Sequence, residues 1–91
     1  MNQCISAQTA SADSQLNSTY KRLQGMLNKS ENYQLKLAER AWIAHKDQYC
    51  KFVNRQYAGG SAYAMALSSC ILDETKQRTG KLQEEIDKIQ R

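Results

Sequence analysis

Three cysteines, a single histidine and two pairs of adjacent carboxylates are the side chains through which this chain of 91 residues could do chemistry. Nucleophilic catalysis needs a nucleophile, a base within hydrogen-bond reach and a group that orients the base. Cys50 and His45 are five residues apart. At about 100° per residue, side chains so spaced leave a helix in different directions. Asp73-Glu74 and Glu84-Glu85 are sequence neighbours. A helix splays such pairs apart, so they read as solvated surface and not as an acid–base pair. A zinc site would have to gather Cys4, Cys50, Cys70 and His45, whose spacings fit no finger or ribbon pattern. No glycine-rich phosphate loop is present. The residues therefore predict neither an enzyme nor a metal or cofactor site. His45 falls on the same helical stripe as Trp42 and is expected to pack into the core.

The elements that must position these residues follow from composition. Proline is absent, glycine occurs four times and valine once, while Leu, Ala, Gln, Lys and Glu are plentiful. That composition favours helix and disfavours strand. Two polar or flexible stretches, Asn28–Asn32 and Gly59-Gly60-Ser61, divide the chain into three segments. The first runs from about Ile5 to Leu27, with an apolar face of Ile5, Ala12, Leu16, Tyr20, Leu23 and Leu27 at steps of three and four. The second runs from about Tyr33 to Tyr57, its stripe being Leu35, Ala38, Trp42, His45, Tyr49 and Phe52. The third runs from about Ala62 to Ile89, with Met65, Leu72, Leu82, Ile86 and Ile89 and with Ser68, Thr75 and Thr79 between them. The prediction is an all-α fold, a single domain over residues 1–91 in which three long helices form an antiparallel bundle or hairpin. Gly59-Gly60 is expected to end the second helix in a left-handed cap and Ser61 to cap the third. The third segment turns charged after Lys76, so its far end is expected to protrude or fray. Leu82, Ile86 and Ile89 would then cover one end of the bundle or meet a partner helix.

Cys50 lies nine residues before Gly59 and Cys70 ten after Gly60. In an antiparallel hairpin the two sit at nearly the same height. From the residues alone, either a disulfide closing a loop of 20 residues or a pair of buried free thiols satisfies that geometry. The formal charge of +4 is dispersed along the chain, and no nucleic-acid recognition pattern accompanies it, so nucleic acid is not an expected partner. No apolar run approaches the length of a membrane span, and no signal sequence stands at Met1-Asn2-Gln3-Cys4. Nothing in the sequence fixes an oligomeric state.

The run from Leu35 through Ala38-Glu39-Arg40-Ala41-Trp42-Ile43 to Lys46-Asp47 and Cys50 is followed by Gly59-Gly60-Ser61, Cys70, and then Thr75, Arg78 and Leu82. It resembles the LprI-type lysozyme-inhibitor family, whose pattern is L-x-x-A-Q-R-A-W-I-x-x-R-D-x-x-C, G-G-[ST], a second cysteine, and T-x-x-R-x-x-x-L. Cys4 and Leu16-Asn17-x-x-Tyr20 resemble the family's C…L-N-x-x-Y opening, so the resemblance covers nearly the whole chain. Glu39 stands where the pattern has glutamine, and Lys46 where it has arginine. Glu39 cannot donate as glutamine does, and Lys46 lacks arginine's planar fork. The resemblance implies an exported bacterial protein, periplasmic or lipid-anchored, made with a signal sequence not present in this chain. Such a compartment permits disulfides, which favours a Cys50–Cys70 bond over two thiols. The family's further cysteine upstream of Cys4 is missing, which implies a trimmed N-terminus and leaves Cys4 unpaired.

The resemblance also implies a protein partner, lysozyme or another cell-wall hydrolase, blocked by surface occlusion. The hairpin tip, Tyr57, Gly59, Gly60, Ser61 and Tyr63, is the candidate contact surface because a tip can enter a cleft; the same residues would also simply build a turn. Arg40, Trp42, Asp47 and Arg78 read as structural, with Trp42 anchoring the core and Arg78 pairing across the helices with Asp47. One physical point opposes the inhibitor reading. Animal lysozymes are strongly basic, and like charge slows encounter and penalises docking. The acidic residues Asp73, Glu74, Glu84 and Glu85 would offset this only in part. The alternatives are an envelope interaction module, such as an immunity protein against a toxin, or a cytosolic helical adaptor.

Overall fold

A computed structural model describes residues 2–91, with side chains from Ala7 onward. Three helices follow in order: α1 (Asn2–Met26), α2 (Lys29–Val53) and α3 (Tyr63–Gln90), with one 3₁₀ turn at Arg55–Tyr57. Helices of 25 to 28 residues are roughly 37–42 Å long at 1.5 Å per residue. The longest dimension of the molecule is 46 Å, so all three run lengthwise. Cys50 pairs with Cys70, and further back along α2 Glu39 pairs with Arg78 further forward along α3. The expected antiparallel arrangement of these two helices is therefore present.

The first corner is tighter than the polar stretch suggested. Only Leu27 and Asn28 lie outside the helices there. Asn28 caps α2: its side chain accepts from the Glu31 backbone N–H at 2.8 Å, and the Glu31 carboxylate accepts from the Asn28 N–H at 3.0 Å. This reciprocal capping box satisfies two donors that a helix start otherwise leaves exposed. Asn32 ties α1 to the same corner by donating to the Gln24 and Leu27 carbonyls.

The second corner departs from expectation in two ways. Helix α2 ends at Val53, before the glycines. Asn54 caps it by donating through its backbone N–H and its side-chain amide to the Cys50 carbonyl. Gly59 does take the left-handed conformation, with φ of +83°, but it closes the 3₁₀ turn and not α2. Ser61 does not cap α3; Ala62 occupies that position without a side-chain cap bond.

Buried side chains are shared unequally. Ala12, Leu16, Thr19 and Leu23 of α1 meet Leu72, Thr75, Leu82 and Ile86 of α3, while α2 buries only Leu35 and Cys50. Helix α1 accordingly lies much closer to α3 than α2 does. Small residues make this approach possible, since interaxial distance follows the side chains at the contact. The buried hydroxyls are satisfied inside α3: Thr75 donates to Ile71 O at 2.8 Å and Thr79 to Thr75 O at 3.0 Å. The far end of α3 does not fray. It remains helical to Gln90, and Ile86 is fully buried in a cluster with Leu16, Leu23, Leu35 and Leu82. Leu82 and Ile86 are thus core, and only Ile89 of that stripe faces outward.

Ile86→Ala should therefore cost about 3 kcal/mol in denaturant unfolding, the range for emptying a packed core site. Ile89→Ala should cost about 0.5 kcal/mol, as surface changes do.

Candidate functional site

Besides Trp42, which packs against the core cluster, four attachments hold α2 against α3, and they define the face on which the sequence-derived residues gather. Cys50 and Cys70 are joined by a disulfide, with Cα atoms 5.6 Å apart and 20 residues between them in sequence. The hairpin arithmetic placed these two residues at one height, and the folded chain brings them there. Cys4 falls within the span of α1, but its side chain lies outside the described residues.

The second attachment is the ion pair between Arg78 Nε and Glu39 Oε1, at 3.0 Å and largely sheltered from solvent. This corrects the expected Arg78–Asp47 partnership. Asp47 and Arg40 are both exposed, whereas Glu39 points toward α3. Glu39 is also one of the two residues that depart from the family pattern, so a place where glutamine is usual here carries a charge-assisted bond. Above this pair sits Trp42, half-buried, with Lys46 Nζ at 4.7 Å from its ring centroid and the Arg78 guanidinium at 5.8 Å. Lys46 thus rests on an aromatic face and has no carboxylate partner among the described residues. The remaining attachments are Leu35 in the core cluster and a long hydrogen bond from Asn54 Nδ2 to Ala66 O at 3.5 Å.

His45 is not a core residue. It is exposed and stacks on Tyr49, ring centroids 5.5 Å apart. Ala38, Tyr49 and Phe52 of the same stripe are exposed as well, so most of this aromatic stripe faces solvent or a groove. Arg55 covers the Phe52 ring at 4.4 Å.

Beside the disulfide, a groove of about 720 Å³ lies between the end of α2, the 3₁₀ turn and α3. Tyr49, Val53 and Tyr57 line one wall; Met65, Ala66, Asp73 and Glu74 line the other. A smaller recess of about 140 Å³ is lined by Trp42, His45, Glu74 and Arg78. The hairpin tip closes the opposite end. Tyr57, Gly59, Gly60 and Ser61 are exposed and Tyr63 is half-buried. Backbone bonds from Gly60 N to Tyr57 O and from Tyr63 N to Gly60 O brace it. Sequence reasoning found the tip but missed the groove, since only the packing of α2 shows which of its residues are left uncovered.

Among the described residues no group of three His, Cys, Asp or Glu side chains could hold a metal ion. No helix among them is long and apolar enough to cross a membrane.

A helical hairpin clamped by one disulfide, with an arginine drawn across onto the tryptophan face, repeats the motif order noted in the sequence. The chain belongs to the lysozyme inhibitor LprI family, whose model matches residues 1–82. This is a family of inhibitors and not of catalysts. The chain is also 29% identical to a protein of Rhizobium meliloti (strain 1021), described as uncharacterized protein R02472, over 92% of this chain and 70% of that one. No solved structure matches the chain significantly.

The clamp has a direct check. Before reduction the denatured protein should show at most one free thiol of its three cysteines. Reduction should lower stability by about 3 kcal/mol, the value for a loop of this length in the chain-entropy model. Three free thiols before reduction would contradict the bond.

Proposed function

We propose that this chain acts in the bacterial envelope as an exported protein that blocks lysozyme or a related peptidoglycan hydrolase by binding its surface. The observation that carries this reading is the match to the lysozyme inhibitor family over residues 1–82. Two structural features support it. The Cys50–Cys70 bond suits an oxidising compartment outside the cytoplasm. The hairpin tip, from Tyr57 through Ser61, is exposed and braced by backbone hydrogen bonds. The mechanism is occlusion: the tip and the adjoining α2–α3 face cover the hydrolase cleft, and no bond is made or broken.

A second reading is an envelope interaction module that binds some other protein. The outer face of α2 favours it, since Tyr33, Leu37 and Phe52 are exposed there in a chain this small. The stripe at Leu82 and Ile86 no longer favours it, because both residues are buried.

Turbidity loss of peptidoglycan suspensions treated with an animal lysozyme separates the two. At micromolar concentration the protein should slow hydrolysis at low and at physiological salt. Tyr57→Ala should weaken inhibition by about tenfold, the loss expected for an interface aromatic anchor. Absence of inhibition by the unaltered chain would leave the interaction module as the better account.

A further inference from the structure

We propose that the groove between α2 and α3 is a docking site for a cationic side chain, lysine or arginine, presented by a protein partner. This deepens the inhibitor reading above and rests on it for the identity of the partner, though not for the chemistry of the groove.

Charge is the first argument. The chain carries a formal +4 overall, yet the only charged residues that line the groove are Asp73 and Glu74. Both stand on α3, where i and i+1 residues of a helix diverge, so they meet the groove at two points along its wall. Neither carboxylate has an ion-pair or hydrogen-bond partner among the described residues. A basic protein thus turns an acidic strip without direct ion pairs into this groove, Glu74 also bordering the recess that holds Arg78 and Lys81.

The aromatic rings supply the second argument. On this side of the molecule, rings are covered by the chain's own cations: Lys46 and Arg78 over Trp42, and Arg55 over Phe52. Tyr49 and Tyr57, which line the groove, have no cation over them among the described residues, and each is more than two-fifths exposed. A cation over an aromatic face gains most when water is excluded. A lysine or arginine entering between the tyrosines and Asp73 or Glu74 would find both a ring and a counter-charge. Its aliphatic stem would lie on Val53, Met65 and Ala66. This arrangement answers the like-charge objection, because a basic partner would meet an acidic concavity and not the average surface.

The test uses amide NMR of the full, oxidised chain titrated with the tripeptide acetyl-Leu-Arg-Leu-amide, with acetyl-Leu-Glu-Leu-amide as control. The arginine peptide should give saturable shifts centred on Tyr49, Tyr57, Ala66 and Gln77. These should disappear in D73N/E74Q and at about 0.5 M salt, where exposed charges are screened within a few Å. Equal shifts with the control peptide, shifts elsewhere on the chain, or none would overturn the proposal. In the lysozyme assay D73N/E74Q should inhibit about tenfold less well, with unaltered helix content by circular dichroism. If the double variant inhibits as well as the parent, the groove assignment falls while the inhibitor reading stands. If the parent does not inhibit, the inhibitor reading falls and the peptide titration still decides the groove.

Discussion

The Cys50–Cys70 bond is the constraint on which the placement of α2, and with it the groove and the hairpin tip, depends. Helices α1 and α3 bury each other through a continuous seam of Ala12, Leu16, Thr19 and Leu23 against Leu72, Thr75, Leu82 and Ile86. Helix α2 has no such seam. Of its 25 residues only Leu35 and Cys50 are buried. It is held at separated points: a leucine at one end, an ion pair and Trp42 near the middle, a disulfide toward the other end and a capping asparagine beyond. A chain of this length buries too little apolar surface to secure every element by packing. A covalent cross-link supplies what the interface lacks, and it also fixes the height of α2 against α3.

Point attachment has a functional consequence. Because α2 is tacked to α3 and not sealed against it, the space beside the disulfide stays open as a groove. The aromatic residues that a sealed interface would have buried, Tyr49 and Tyr57 among them, remain available. In a family defined by inhibition, that is an economical arrangement. The clamp preserves the shape of the proposed binding face without burying its aromatic side chains. The Glu39–Arg78 pair engages the Arg78 guanidinium, and neither Asp73 nor Glu74 forms an ion pair with it.

Much of this was legible in the residues. The absence of proline, the steps of three and four, and the two punctuating stretches give three helices. Equal distances from Gly59-Gly60 give the height of the cysteines, and the resemblance chose the bond over free thiols. What the pattern could not show was which neighbour each stripe meets. The α2 stripe at Ala38, Trp42, His45, Tyr49 and Phe52 has faultless helical spacing, yet the side of α3 beside it carries Glu74, Arg78 and Lys81, so most of the stripe stays exposed. Periodicity reports that a helix has two faces; it does not report what covers them. The charged residues near the end of α3 misled for the complementary reason. Glu84, Glu85 and Lys88 are exposed, but Leu82 and Ile86 between them face α1 and the core. The Arg78 partner was missed because Glu39 and Asp47 are both plausible by sequence, and only the register of the two helices selects Glu39.

The central claim is that α2 is secured by the clamp while α1 and α3 secure each other. Native-state hydrogen exchange of the oxidised and reduced chains tests it most directly, because local opening is read amide by amide. The account predicts that reduction accelerates exchange across α2, from Leu35 to Phe52, while the buried stretches of α1 and α3 around Leu23 and Ile86 keep most of their protection. Unchanged protection of α2 after reduction, or loss of protection in all three helices together, would contradict it.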